Sequence, residues 1–228
     1  MGSGEWQWGE KLVKRRGVKP TTLDLKEVAT KTVGHYEANA TRFWEGTKDH
    51  DVTQNYEALL GALPKKQGLR ILDFGCGPGR DLLHFKSLGH FPTGLDGSSN
   101  FCSMARDYSG CPVLHQNFLQ LDLPKQTFDG IFANASLFHI PRQELVRVLS
   151  ELRICLVPQG VLFSSNPRGS SEGWMENRYG AFFEWEEYEE YLRKAGFEPL
   201  QHYYRPAGLP RSEQLSLASV SQLMLHPG

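Results

Sequence analysis

The stretch Arg70-Ile-Leu-Asp-Phe-Gly-Cys-Gly-Pro-Gly-Arg80 decides how this 228-residue chain is read. Arg70 to Phe74 predicts a buried strand. Gly75, Gly77 and Gly79, with Cys76 between the first two, make a loop where backbone approaches a ligand unobstructed by side chains. Leu82, Leu83 and Leu88 then begin a helical pattern that Gly89 ends. Strand, glycine loop and helix form the nucleotide-binding corner of a doubly wound α/β sheet.

The ligand of that corner follows from its departures. The dinucleotide fingerprint G-x-G-x-x-G wants glycine where this chain has Arg80, and the Gly-Lys-Ser/Thr of a phosphate loop is absent. Asp73, just before the glycines, disfavours a pyrophosphate and suits a ligand carrying sulfonium and ammonium charges. The pattern D-x-G-x-G-x-G resembles motif I of the class I S-adenosylmethionine methyltransferases. That resemblance implies that Asp73, Gly75, Cys76, Gly77 and Gly79 hold the amino-acid end of S-adenosylmethionine, with S-adenosylhomocysteine as product.

Length and composition bound the rest. The chain is long enough for one domain with a full core. A net charge of −1 gives no sign of a nucleic-acid or membrane surface. Cys76, Cys102, Cys111 and Cys155 show neither a C-x-x-C pair nor metal spacing, so reduced thiols in a cytoplasmic protein are expected. No apolar run approaches a membrane span, and the start lacks the hydrophobic core of a signal peptide.

Three segments are expected: a mobile lead-in over 1–31, a helical lid over 32–66, and a core with acceptor-site insertions over 67–228. The lead-in carries Trp6, Trp8 and a basic run from Lys11 to Lys19, interrupted by acids. The pattern from Val33 to Leu63 is helical, broken near Gly46 to Asp51. His35, Tyr36, Phe43 and Trp44 form an aromatic face that reads either as core or as a lid over the cofactor, with Tyr36 and Trp44 as cofactor contacts.

Phe91 to Asp96 predicts the second strand. Asp96, 23 residues after Asp73, stands where a carboxylate accepts both ribose hydroxyls, with Gly97 and Ser98 beside it. Its other reading is a helix N-cap. After a third strand, Val113 to Gln116, come Asn117 and Phe118. Many members of the resembled family place an acid and an apolar residue there for adenine; here the side-chain oxygen of Asn117 would accept that bond. Phe128 to Ala133 is the fourth strand. The loop Asn134-Ala-Ser-Leu-Phe-His-Ile140, including Ala135, stands where such enzymes meet both sulfonium and acceptor. Pro158-Gln-Gly160 reads as a turn before a fifth strand, Val161 to Ser164. A helix closed by Gly196 and an antiparallel hairpin, Phe197 to Tyr204 with Leu215 to Leu223, complete a Rossmann-like, mostly parallel sheet.

The acceptor side is polar and aromatic. Asn134 to His139, Leu162-Phe-Ser-Ser-Asn-Pro-Arg-Gly169, Arg178-Tyr-Gly180 and His202-Tyr-Tyr-Arg-Pro206 together resemble the C-terminal methyltransferase domain of ovothiol synthases, over about Tyr36 to Val220. The resemblance implies an imidazole nitrogen of a mercaptohistidine as methyl acceptor. It makes Arg168, Arg178 and Arg205 candidates for its carboxylate, with Asn166, Trp174, Tyr179, Tyr203 and Tyr204 as further substrate contacts. Because a neutral imidazole already has a lone pair, no strong base is needed. Asn134, Asn166 or one of Tyr36, Tyr179, Tyr203 and Tyr204 would orient its other N–H, and His139 is either a general base or structural. Two departures stand. Gln214-Leu-Ser-Leu-Ala218 and Val220-Ser221 replace that family's Gln-Pro-Trp-Leu-Ala and Val-Trp. The iron-dependent module that usually accompanies the domain is absent, so another enzyme is expected to supply the acceptor unless the substrate has changed. A different N-, S- or O-acceptor, and a non-catalytic S-adenosylmethionine-binding protein, remain as alternatives.

Overall fold

The computed structural model describes residues 24–224. The lead-in readings on Trp6, Trp8 and the basic run lie outside the described residues. The order is α1 (Leu25–Ala38), α2 (Ala40–Thr47), α3 (Thr53–Ala62), β1 (Arg70–Phe74), α4 (Arg80–Ser87), β2 (Phe91–Asp96), α5 (Ser99–Ser109), β3 (Val113–His115) and β4 (Phe128–Asn134). Then follow α6 (Arg142–Cys155), β5 (Leu156–Pro167), β6 (Glu172–Met175), β7 (Arg178–Ala181), α7 (Trp185–Lys194), β8 (Phe197–Arg205) and β9 (Ser216–Leu223). Helix starts at Leu25 rather than Val33, because Asp24 caps it: its carboxylate accepts the N–H groups of Lys26 and Glu27.

Seven strands make one sheet in the order β3-β2-β1-β4-β5-β9-β8. All are parallel except β9, which runs antiparallel between β5 and β8. Alternate residues feed two cores. Leu72, Phe74, Ile131, Ala133 and Leu162 pack beneath Leu145, Val148, Leu149 and Leu152 of α6 and Tyr188 and Leu192 of α7. Ile71, Phe132, Val161 and Phe163 face Tyr56, Leu59 and Leu63. The period of two that defines a strand thus sends each β1, β4 and β5 side chain to its layer. Strand order reverses between β1 and β4, and an open sheet of this kind leaves its ligand crevice there, beyond the strands' carboxyl ends.

Two local expectations are corrected. Pro158-Gln-Gly160 lies within β5 rather than in a turn before it. Gln159 takes a left-handed φ of 64°, and the pairing jumps from Phe128–Leu156 to Gly130–Val161, so the segment is a wide irregularity in a continuous strand. The β6–β7 hairpin was not anticipated: Glu172 to Met175 is too polar and glycine-broken to show strand alternation, and it forms by pairing locally outside the main sheet.

Candidate active site

A cavity of about 1170 Å³ opens at the switch point, floored by the glycine loop and roofed by α1 and α2. Gly75, Gly77 and Gly79 all take left-handed φ, at 80°, 50° and 96°. Their roles differ. A Cβ at Gly75 would lie 2.4 Å from Ser136 Cβ, and one at Gly79 would lie 2.8 Å from Ala105 Cα, so Gly79 serves helix packing and does not line the cavity. Gly77, whose nearest neighbour would be Phe43 at 3.6 Å, bares backbone to the cavity. Cys76 lines it too; its thiol is buried and pushed up in pKa by burial, then by the charges of Asp73 and Asp96. All four cysteines are free, buried thiols.

Asp73 sits under this loop, buried, and its Oδ2 has no hydrogen-bond partner. Burial, with Asp81 and Asp96 nearby, drives its pKa well above the ordinary range, Arg80 opposing. Asp81 itself is engaged by Arg80 Nε at 2.7 Å and by the Tyr56 hydroxyl. An unpartnered buried carboxyl beside bare backbone fits a cationic, amino-acid-bearing cofactor, since a cation offsets the charge that burial penalises.

Asp96 is likewise buried, its pKa pushed up to about 6 by burial against the hydrogen bonds from Ser98, Gly77 and Gly97. Its Oδ2 accepts the Gly77 N–H at 3.0 Å and its Oδ1 accepts that of Ser98 at 2.9 Å. The helix cap belongs to Ser98, whose hydroxyl accepts the Phe101 N–H. Asp96, Gly97 and Ser98 all line the cavity. So do Asn117 and Phe118; Asn117 Oδ1 already accepts the Leu119 N–H at 2.9 Å, and Phe118 packs on Phe74 with ring centres 4.3 Å apart.

The lid candidates Tyr36 and Trp44 line the cavity, Trp44 edge-on to Tyr108. Neighbouring Glu37 ties α1 to the start of α5: its carboxylate accepts the hydroxyls of Ser98 and Ser99 and the Asn100 N–H. Burial alone would raise the Glu37 pKa; those hydrogen bonds outweigh it and hold it below the ordinary value. They also place an anion at a helix N-terminus, where the dipole favours it.

Asn134 and Ala135 line the cavity beyond β4. Ala135 adopts a left-handed φ of 56°, held by its N–H to the Ser165 carbonyl. Asn134 Oδ1 accepts Asn55 Nδ2 at 3.0 Å, and Asn55 Oδ1 accepts the Tyr203 hydroxyl at 2.9 Å. Tyr203 therefore supports the site through Asn55 and does not line it. His139 lines the cavity with both ring nitrogens engaged: Nδ1 lies 2.6 Å from the Tyr179 carbonyl and Nε2 2.7 Å from the Tyr36 hydroxyl. Burial depresses its pKa to about 3, the Tyr179 carbonyl opposing and Arg178 adding to it.

The acceptor candidates divide. Arg178 and Arg205 line the cavity, Arg178 with Nη1 3.4 Å from the Tyr36 hydroxyl and Arg205 donating to the Asp51 carbonyl at 2.8 Å. The rest stand away from it. Arg168 pairs with Glu184 at 3.7 Å and lies over Tyr204, which Arg211 covers from 2.8 Å. Tyr204 and Tyr203 alternate along β8, so they leave it on opposite faces. Asn166 is buried off the cavity, its Oδ1 accepting the Phe138 N–H that shapes the loop before His139. Tyr179 offers its backbone, while its ring packs edge-on against Trp174, which is 39% exposed under Lys31.

Sequence reading placed Phe43 on the aromatic face that lines the cavity, and missed Asn55, Glu37, Leu215 and Ser216 as site residues. Asn55 carried a signal, a polar residue four before Leu59 on an apolar helical stripe. Glu37 carried none, because it meets Ser98 and Ser99 only through the fold, and Leu215 and Ser216 are brought to the cavity lining in the same way.

The parallel sheet with its antiparallel β9, the glycine corner and the cavity at the switch point are those of a Rossmann-like methyltransferase fold. Residues 71–160 match the family model described as a methyltransferase domain. Trans-aconitate 2-methyltransferase of Escherichia fergusonii is 36% identical over 124 residues, covering 52% of this chain and 45% of that protein. The chain thus spans less than half the length of that curated relative. In fold it is similar to Burkholderia thailandensis 1,6-didemethyltoxoflavin-N1-methyltransferase, solved with 1,6-didemethyltoxoflavin and S-adenosylhomocysteine (TM-score 0.73, 21% identity, 91% of this chain and 94% of that one). It is also similar to a Haloferax volcanii methyltransferase solved with the activator Trm112 (TM-score 0.70, 18% identity, 88% and 99%). Among the described residues no helix is long and apolar enough to cross a membrane.

Proposed function

We propose that this chain is an S-adenosylmethionine-dependent methyltransferase acting on a small zwitterionic acceptor, an imidazole nitrogen of a histidine-derived thiol of the ovothiol type. The observation that carries the reading is the continuity of one cavity from Gly75, Gly77 and Asp96 to Arg178 and Arg205, with the unpartnered Asp73 carboxyl buried behind that loop outside the cavity lining. Bound there, S-adenosylmethionine supplies a methyl group on a cationic sulfur, open to in-line displacement. Asp73 and the bare peptides of Gly75 and Gly77 would hold its amino-acid end, Asp96 its ribose, and Asn117 and Phe118 its adenine.

The chain's own residues position the acceptor and exclude water. Arg178 and Arg205 offer guanidinium groups to a carboxylate. Tyr36 and Phe43, edge-on with ring centres 5.6 Å apart, close the aromatic roof. Asn134, fixed by Asn55, directs its amide NH₂ away from that bond. The similar toxoflavin enzyme is by name an N-methyltransferase of a small heterocycle, and the trans-aconitate relatives are by name enzymes of an anionic acceptor. Both properties meet in an imidazole amino acid. We assign no nucleic-acid or membrane partner, and assign the supply of the acceptor to a separate enzyme.

A different acceptor is the second reading. Leu215 and Ser216 line the cavity, and they stand where the ovothiol pattern has Pro-Trp, so Ser216 puts a far smaller side chain in this wall than tryptophan would. Methyl-labelled S-adenosylmethionine and a panel of imidazoles, thiols and carboxylic acids, read by mass spectrometry, separate the readings. Label in mercaptohistidine at a ring nitrogen supports the first, and label only in other acceptors supports the second. Calorimetry showing no binding of S-adenosylmethionine or its demethylated product sinks both.

A further inference from the structure

Tyr36 and His139 are 103 residues apart and meet at the cavity roof. The Tyr179 carbonyl can only accept, so the hydrogen on the His139–Tyr179 contact belongs to Nδ1. A neutral imidazole carries one such hydrogen, which leaves Nε2 bare and makes the Tyr36 hydroxyl the donor to it. Donation to His139 fixes the phenol's rotation. Arg178 Nη1 faces the phenol oxygen at 3.4 Å, which leaves that oxygen one further lone pair, and Tyr36 is among the residues that line the cavity.

We propose that Tyr36 is the group that accepts a hydrogen bond from the acceptor substrate, and that His139 is a positioning residue acting only through Tyr36. The inference deepens the methyltransferase reading and rests on it for the word acceptor. It assigns no proton transfer to His139, whose two nitrogens are both committed. What Tyr36 recognises is a donor, such as the second ring N–H of an imidazole, and holding that N–H turns the bare nitrogen of the same ring toward the cofactor side. The backbone of Tyr179 completes the arrangement. Its N–H donates to Thr32 Oγ1 of α1 at 3.0 Å while its carbonyl takes His139, so β7 clips lid helix and catalytic loop together.

Two measurements on the full chain test this. Nitrogen-15 NMR of the histidine rings reads the tautomer without any substrate. His139 is expected with Nδ1 protonated, Nε2 bare, and no titration between pH 5.5 and 8.5; Arg178 and His35 are the charged or titratable neighbours facing it. Tyr36→Phe should shift the Nε2 resonance. An Nε2–H tautomer, or titration near 6.5, overturns the inference.

The second measurement uses mercaptohistidine and labelled S-adenosylmethionine. Tyr36→Phe should lower kcat/KM for the acceptor by roughly tenfold or more, the scale of an unmade hydrogen bond in a buried site. Binding of S-adenosylhomocysteine should change by less. His139→Gln, which keeps an acceptor for the Tyr36 hydroxyl, should retain more activity than His139→Phe; equal loss in both marks a base and overturns the assignment. If the wild-type chain leaves mercaptohistidine unmethylated, the acceptor reading fails, while the NMR result still decides how His139 is held.

Discussion

The carboxylate of Asp96 accepts the peptide N–H of Gly77 at 3.0 Å across 19 residues of chain. The tip of β2 therefore shapes the loop that leaves β1. Asp96→Ala should leave that N–H and the Ser98 N–H without their acceptor, at about 1–3 kcal/mol for each group that stays dry. Calorimetry with S-adenosylhomocysteine should show at least tenfold weaker binding, with Asp96→Asn intermediate.

Gly75 and Gly77 should not respond alike. Gly75→Ala combines a φ of 80° with a clash at 2.4 Å and should abolish cofactor binding or unfold the corner. Gly77→Ala at φ 50°, with 3.6 Å of clearance, should cost about 1–2 kcal/mol in backbone strain and leave a folded protein. Thermal denaturation and product titration of the pair provide the comparison.

Asp73 gives the free protein a pH signature. In the unfolded chain it ionises near 3.8, and folded it keeps its proton to higher pH. The folded state then binds more protons across that window, so stability should fall as pH rises through it. Asp96, raised to about 6, adds the same sign between 3.8 and about 6. Asp73→Asn should flatten part of that decline and raise the Tm above neutrality. It should also weaken S-adenosylmethionine binding by roughly a hundredfold or more, as expected for removing one partner of a buried charge pair. A cation drives the proton off Asp73, so wild-type binding should tighten with rising pH and release protons to buffer.

Glu37 contributes the opposite slope. Its folded pKa is depressed, so its stabilisation is complete above the unfolded value of 4.5 and is lost as pH falls through the folded one. Glu37→Gln should lower hydrogen-exchange protection in α1 at neutral pH, and the wild-type chain should lose the same protection in acid. Unchanged α1 protection in the variant removes Glu37 as the tie between α1 and the start of α5.

Asn55→Leu should be more damaging than its helix position suggests. It removes the donor to Asn134 Oδ1, a half-buried group, at about 1–3 kcal/mol, while the Tyr203 hydroxyl loses its 2.9 Å partner and keeps the Gln54 carbonyl at 3.3 Å. A loss of acceptor turnover exceeding the loss of cofactor affinity would place the effect on Asn134.

The corner was legible because it is local. Asp73, Gly75, Gly77 and the apolar pattern of β1 lie within eight residues, and β2 and α5 extend the same period-two and helical signals to Asp96 and Ser98. The acceptor side was legible only as residue types. From sequence, Arg168 and Arg178 are equivalent, as are Tyr203 and Tyr204. Strand alternation, the β6–β7 hairpin and the pairing of Arg168 with Glu184 separate them.

What the sequence by itself determined is the sheet, its glycine corner and the charge of the ligand that corner suits, since each depends on neighbours along the chain. Only the tertiary structure decided which arginines face the cavity, that Asn166 shapes a loop instead of lining it, and that Tyr36 and His139 meet. Those outcomes depend on hydrogen bonds and packing between residues up to 154 positions apart, as between Asp51 and Arg205, and no local pattern encodes which partner a side chain will find.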